Sequence, residues 1–539
     1  MTIDSEKLVI ELNYRNDFIQ ETREGTFFDS RKLFDLLPET VADKRTLGLI
    51  EIHDLFKAVN HTRTSIGAAH LFHSLANPSE SIELIHAKQD AYCELESNKR
   101  LQEIIAEFLE TFRSGEHHLF KFLNANMQAI APYRDFKEAM ISIAWMLEAA
   151  EVPQPETVYL DSLFKAILSF KASPTAGLIF GSRWRTRRGI KSKREKKGWP
   201  RLKFIPSRFT IGSFIPAIPA LIFGAGWLFG FINQAIAFTG FMLTCWLSFF
   251  GVLYGGLIKP IFDFETAILP IRKRLIDSNR FTSAMEAVAA IDEILSLVSY
   301  SKRVPHPTVV PEFATAPTHF FQARDLRNPT KATQDPDFVG NDIDLDGVRA
   351  TFITGPNSGG KTTICKTLVQ CQILAQIGGP IPASAACLSM ADHITYQAPA
   401  FDSLIDAEGR FGTELKVTRD IFFETTPRSL VILDEIAEGT TTQEKMSLSV
   451  EIINGFYAIG SNTLLVTHSH ELVEEFRAQG KGQCLQVEFV DDHPSHRLIP
   501  GISKASQALR VARKIGFAPE DIAAHLKREG YLKDGLITG

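Results

Sequence analysis

A chain of 539 residues is long enough for several domains, because roughly 100 to 200 residues per domain is usual. Its net charge of −5, 22% charged residues and 45% hydrophobic residues read as an ordinary soluble chain and do not by themselves indicate a membrane protein. Six cysteines (Cys93, Cys245, Cys365, Cys371, Cys387 and Cys484) contain no Cys-x-x-Cys pair, which argues against a zinc site or a disulfide framework and for reduced thiols.

The opening segment, MTIDSEKLVIELNYRND, is interrupted by charges every few residues, so no secretory signal is expected. From Ser30 to about Phe170 apolar residues recur at helical spacing, as in Leu101, Ile104, Ile105, Phe108, Leu109 and Phe112. That stripe predicts a helical domain over 1–180 whose apolar face is core.

Residues 181–208 hold twelve Lys and Arg against one acid, Glu195, and form a cationic linker. Two partners suit such a run, anionic lipid headgroups and nucleic-acid phosphates. The following fifty residues, 209–258, contain no Asp, Glu, Lys or Arg, and Asn233 and Gln234 divide them into halves of 24. A helix of that length spans the roughly 30 Å hydrocarbon core of a bilayer, so a two-span transmembrane hairpin is predicted. Lys259, Arg272, Lys273 and Arg274 place positive charge after it, on the same side as the linker. This predicts a multi-pass membrane protein with both flanking parts cytoplasmic, and it favours lipid as the linker's partner. The other reading of 209–258 is a buried helical hairpin, to which Pro216 and Pro219 lend weight. Residues 259–330 return to helical texture.

Beyond Pro311 short apolar strands alternate with Gly-rich turns and helices, the pattern of an α/β domain. The strand Ala350 to Thr354 leads into Gly355, Pro356, Asn357, Ser358, Gly359, Gly360, Lys361, Thr362 and Thr363, and an apolar helix follows. A GxxxxGK[ST] loop between a strand and a helix is a nucleotide-phosphate cradle. Backbone N–H groups and the helix N-terminus face the phosphates, Lys361 reaches the β and γ positions of ATP, and the Thr362 hydroxyl ligates Mg²⁺. The apolar run Ser429 to Leu433 ends in Asp434 and Glu435, an arrangement that delivers one carboxylate to the metal and the other to an attacking water. A further strand, Asn462 to Thr467, ends at His468, placed to sense the γ-phosphate or its water.

The runs TGPNSGGKTT, AQIGGPIPA, LVILDEIAEGTTTQEKMSLSVEII and LLVTHSHEL resemble, in order and spacing, the ATPase domain of the MutS mismatch-repair family, a branch of the ABC-type ATPases. GISKASQALRVARKIGFAPEDI resembles the family's C-terminal dimer-packing segment, and HDLFKAVNHTRTSIGAAHLFHSL the start of its helical core. The resemblance implies a mixed fold: a helical core and lever region (1–180 and 259–330) interrupted by the hairpin, then a P-loop ATPase domain over 331–525 and a tail over 526–539. It also implies that Phe338 stacks on adenine with Asn341 beside it, that the chain works as a homodimer, and that DNA is its substrate. Three departures bear on this. About thirty residues precede the helical core, leaving no room for a mismatch-reading domain. The apolar hairpin stands where the family inserts its DNA clamp. The family's Gly-Arg-Ser-Thr signature reads here as Glu408-Gly409-Arg410-Phe411-Gly412-Thr413-Glu414. The expected function is therefore a membrane-tethered, Mg²⁺-dependent MutS-type ATPase with a role in DNA mismatch repair. The rivals are a membrane-associated mechanochemical ATPase that no longer binds DNA and a non-hydrolysing ATP-dependent scaffold.

Overall fold

The computed structural model describes residues 41–123, 132–180, 217–253, 269–356, 359–399, 409–436, 442–490, 493–503, 513, 515–529 and 531. The chain divides into two compact units. One takes in Val59–Ser74 and Ala87–Tyr300, and the other Pro38–Ala58, Leu75–His86 and Ser301–Gly539.

The first unit is helical. In chain order the helices are α1 (Lys44–Leu49) and α2 (Ile52–Val59), which belong to the second unit, then α3 (Ser65–Ala76), α4 (Ile82–Ser97), α5 (Lys99–Leu123), α6 (Pro132–Ala149), α7 (Val158–Lys171) and α8 (Pro174–Phe180). Leu101, Ile105, Phe108, Leu109 and Phe112 of α5 are buried, with Ile104 at the margin, so the stripe read from the sequence is a core face. Gly115 lets α5 and α6 approach, since a Cβ there would stand 1.7 Å from the Ser142 hydroxyl. After α9 (Ala217–Leu228), α10 (Gln234–Leu253) and α11 (Leu269–Ile276), the long helix α12 (Asn279–Arg303) is buried on nearly every side. A helix of that kind is the centre of a bundle.

Helix α12 carries charge into this core. Asp292 accepts from the backbone N–H groups of Arg63 and Thr64 at 2.8–3.0 Å and from the Thr64 hydroxyl at 2.7 Å. Glu116 of α5 accepts from the N–H groups of Ser65 and Ile66 at 2.9 and 2.8 Å. Two carboxylates thus satisfy the open donors at the start of α3. Lys88 meets Glu293 at 2.8 Å beside His70. Burial pushes Glu116 up to about 7 and Asp292 up to about 6, whereas Glu293, held by Lys88 against burial, falls to about 2. A carboxyl raised in the folded state stabilises below its unfolded pKa, near 4, and that stability is lost as pH rises through 6 to 7. His73, held down to about 4 by burial, acts with the opposite sign over the same window, so the informative comparison is between parent and variant. Between pH 5 and pH 8 the parent is expected to lose about 3 kcal/mol of stability relative to Glu116→Gln, read from urea unfolding at each pH. A difference that stays constant with pH would show that Glu116 is ionised throughout.

The expected transmembrane hairpin is corrected by the structure. Among the described residues no helix is long and apolar enough to cross a membrane. The described part of α9 has 12 residues, about 18 Å at 1.5 Å per residue. Pro219 lies in its first turn, where a missing N–H is tolerated, and Gly230 turns the chain at a φ of 75°. Gly240 of α10 packs on the Phe223 ring, with a built Cβ 2.6 Å away. The described part of the hairpin is a pair of helices of 12 and 20 residues that displays large apolar side chains, Phe231 at 82% exposure among them. The two-span membrane localisation, the bilayer as partner through 209–258 and the transmembrane part of the fold class fall with it. Residues 209–216 and 254–258 lie outside the described residues, as does the basic stretch 181–208 with its expected lipid or nucleic-acid contacts.

The second unit is α/β. Its main sheet has the order β10-β9-β4-β8-β7-β6, built from β4 (Ala350–Thr354), β6 (Ile394–Gln397), β7 (Leu430–Asp434), β8 (Asn462–Val466), β9 (Gln483–Val490) and β10 (His493–Pro500). All pair in parallel except β10, which returns antiparallel at the edge. The inner strands β4 and β8 are buried along their whole length, as parallel strands covered on both faces must be. A smaller sheet runs β1-β5-β2-β3, from β1 (Glu312–Phe313), β2 (Phe321–Leu326), β3 (Asn341–Asp344) and β5 (Ala385–Leu388). Helices α13 (Lys361–Gln376), α14 (Gly409–Glu424), α15 (Thr442–Ile459) and α16 (His470–Ala478) accompany the sheets. Phe352, Phe456 and Phe476 are wholly buried with Val431, Leu433 and Leu465 in one core.

The N-terminal segments join this unit by polar contacts with α13. Gln370 Nε2 donates to Ile50 O at 2.7 Å, Lys366 meets Glu51 at 2.8 Å, and Gln376 Nε2 donates to Ser79 O at 3.1 Å. Val41 O accepts from Ile394 N at 2.7 Å, so residues 41–49 also brace β6.

Candidate nucleotide site

Strands β4, β8 and β7 are neighbours, and each ends at the same edge of the sheet with a residue of the site. In parallel α/β sheets ligands bind outside the carboxyl ends of the strands. The loop after β4 begins at Gly355, with φ 137°, and closes at Gly360, with φ 88°, the N-cap of α13. A Cβ on Gly355 or Gly359 would come within 3.0–3.2 Å of Val487, so glycine is what lets this loop lie against β9. Asn357 and Ser358 lie outside the described residues. Pro356 O accepts from Gly359 N at 3.0 Å, and Thr363 continues the first turn of α13.

Lys361 is buried, and its ammonium donates to Gly355 O within the loop. Burial lowers it to about 8, against the pull of Asp434, so an anion at this point is electrostatically favourable. The Thr362 hydroxyl donates to Asp434 Oδ2 at 3.1 Å. Burial raises the Asp434 carboxyl, opposed by hydrogen bonds from Thr362 and Tyr396 and by the charge of Lys361. A hydroxyl and a carboxylate this close form the hard-oxygen donor pair that Mg²⁺ selects, so the residues present fit that ion.

Glu435 follows β7 with φ 64°, a backbone region that non-glycine residues rarely occupy. Its N–H donates to Val466 O at 2.9 Å, which swings the backbone towards the end of β8. The same turn brings Glu435 Oε1 to 3.1 Å from His468 Nε2. The strained residue at the mouth of the site is thus held by the strand that also carries its histidine partner.

The chain matches the family model described as MutS domain V over residues 351–529. Over that stretch the chain is similar to the MutS family's domain V. It is 33% identical over 287 residues to the "DNA mismatch repair protein MutS" of Chloroflexus aurantiacus, covering 50% of this chain and 29% of that protein. The protein of the same description from Shouchella clausii is 37% identical over 185 residues, 33% of this chain and 21% of its own length. "DNA mismatch repair protein msh3" of Aspergillus terreus is 32% identical over 252 residues, 43% of this chain and 22% of its own. The chain thus spans less than a third of the length of each of these relatives.

Asn341 and Phe338, the other residues expected at the nucleotide, lie on and just before β3. Asn341 opens β3 and spends its amide on β10, donating to His496 O at 3.1 Å and accepting from Leu498 N at 2.7 Å. Phe338 lies three residues before it, its carbonyl bound by Arg327 Nε at 3.0 Å. Among the described residues the hydrogen-bond partners of the Asn341 amide are on β10, not in the phosphate loop. The Asn341 clamp instead sets His496, whose Nδ1 stands 3.4 Å from Gly359 O. Of the altered signature, Gly409 begins α14, Glu408 lies outside the described residues, and Glu414 O accepts from Gln397 and Thr418. Sequence reading missed His496 and Tyr396, which the phosphate-loop and acidic-strand motifs do not include. Tyr396 OH donates to Asp434 Oδ2 at 3.3 Å.

Proposed function

We propose that this chain is a MutS-family protein that binds and hydrolyses MgATP and acts on DNA, in a role related to mismatch repair. The convergence of the Thr362–Asp434 pair and the Glu435–His468 pair on one end of the phosphate loop supports the hydrolytic reading. DNA as substrate rests on the family and on the names its relatives carry.

In this reading the N–H groups of the loop and the start of α13 hold the phosphates, and Lys361 exchanges the Gly355 carbonyl for phosphate oxygens. Thr362 and Asp434 hold Mg²⁺, which when bound neutralises charge on the β and γ phosphates. Glu435 orients the attacking water and takes its proton, while His468 fixes the carboxylate from the far side. Phe338 takes the adenine by family resemblance, and His496, 3.4 Å from Gly359 O, stands beside the loop. Two copies act together: Ile515 and Phe517 are exposed, and α17 (Pro519–Arg528) has no buried side chain, as an interface segment has in a single copy.

The test is steady-state ATP hydrolysis with and without homoduplex, mismatched and branched DNA at two salt concentrations, with Lys361→Ala as the blank. The expected result is Lys361-dependent turnover stimulated by DNA, with a stimulation that falls steeply as salt rises. Lys361-dependent turnover indifferent to every DNA would remove DNA from the reading and keep the ATPase. Turnover that does not depend on Lys361 would overturn both.

A further inference from the structure

Two donors converge on Asp434 Oδ2. One is the Thr362 hydroxyl at 3.1 Å and the other the Tyr396 phenol at 3.3 Å. Thr362 has a second claim on its oxygen, because it is also the residue placed to ligate the metal. Tyr396 sits in the interior, 1% exposed, and among the described residues its hydroxyl has Asp434 as acceptor.

The sheet register explains how a residue on β6 reaches the end of β7. Tyr396 pairs with Ile432, two residues before Asp434. Two residues along a strand cover about 6.6 Å and return to the same face, which is the reach of a tyrosine side chain laid along its neighbour. The anchor lies on the other side. Tyr396 N donates to Thr46 Oγ1 at 2.9 Å, and Val41 O and Ala42 pair with Ile394 at the start of β6. A segment more than three hundred residues upstream in sequence therefore holds the strand that holds the carboxylate.

We propose that Tyr396 is a positioning residue for Mg²⁺: it fixes the Asp434 carboxylate in its metal-facing orientation whether or not Thr362 is engaged by the ion. This rests on the MgATP reading given above. A phenol keeps its proton at neutral pH and offers one fixed donor, so it orients a carboxylate without competing for the cation. A hydrogen bond to a charged group is worth enough to change metal affinity by about tenfold when lost, and the 3.3 Å length places this one at or below that figure.

The experiment titrates Mn²⁺, followed by its electron paramagnetic resonance signal, into full-length protein saturated with a non-hydrolysable ATP analogue. The proteins are wild type, Tyr396→Phe, Asp434→Asn and the double variant. Analogue binding in EDTA is measured first on the wild type and on Lys361→Ala. The expected result is Mn²⁺ binding weakened about fivefold to tenfold in Tyr396→Phe, metal-free analogue binding unchanged, and no further loss when Tyr396→Phe is added to Asp434→Asn. Non-additivity of that kind marks action through Asp434, which a general packing defect does not produce. Mn²⁺ affinity within twofold of wild type in a Tyr396→Phe protein of normal melting temperature overturns the proposal, as does a full additive loss in the double variant. Analogue binding absent from wild type, or equal in Lys361→Ala, overturns the MgATP reading itself and with it this inference.

Discussion

Glu435→Gln is expected to slow ATP turnover by about two orders of magnitude or more while leaving MgATP affinity within about threefold. The substitution keeps the shape and the left-handed backbone of the residue and removes only its ability to accept a proton. Glu435 touches neither Lys361 nor Thr362 among the described hydrogen bonds, so ground-state contacts to the phosphates are preserved. What changes is the pair with His468, 3.1 Å away, because a neutral amide no longer stabilises a positive imidazole or draws a proton from water. Phosphate release measured beside binding of a fluorescent ATP analogue separates the two effects. Unchanged turnover in a normally folded variant would assign the attacking water to another group. Unchanged function together with absent turnover in the wild type would favour the non-hydrolysing scaffold.

The parts of this protein that were legible in the sequence are those whose chemistry is local. A phosphate loop is nine consecutive residues, and the acidic end of β7 is another short run, so their place on strand ends followed from pattern alone. The apolar stripe of α5 was legible for the same reason, since 3.6-residue periodicity reports burial directly. Tyr396 and His496 were not legible, because their roles depend on pairing between distant segments: Tyr396 is set by the β6–β7 register and by Thr46, and His496 by the Asn341 clamp on β10. The hairpin shows the converse error. Fifty residues without charge carry a strong hydropathy signal, but hydropathy does not record where helices stop. The Gly230 turn ends α9 after Leu228. The contact of the Asn341 amide with backbone on β10 was likewise not legible, since it joins segments more than 150 residues apart.

Lys361→Ala is expected to weaken nucleotide binding by about 100-fold, through loss of charge-assisted bonds to two phosphates. Before nucleotide arrives the lysine is already committed to the loop. Its stem is buried and its ammonium is folded onto Gly355 O, in a place where burial already lowers it to about 8. A cation held in such surroundings is under-solvated, and an arriving phosphate relieves that cost, so the residue contributes more here than an exposed lysine does. Alanine removes the charge and leaves the glycine backbone of the loop as it is, and the protein is expected to fold with its core intact. Ligand-induced stabilisation gives a readout independent of turnover: at 100 times the dissociation constant, MgATP stabilises the wild type by about 2.7 kcal/mol, and at the same concentration the variant gains about 0.4 kcal/mol. Equal nucleotide-induced shifts in melting temperature for the two proteins would mean that ATP does not sit on the loop after β4. In that case the carboxylates of β7, however well placed, would have no phosphate to act on.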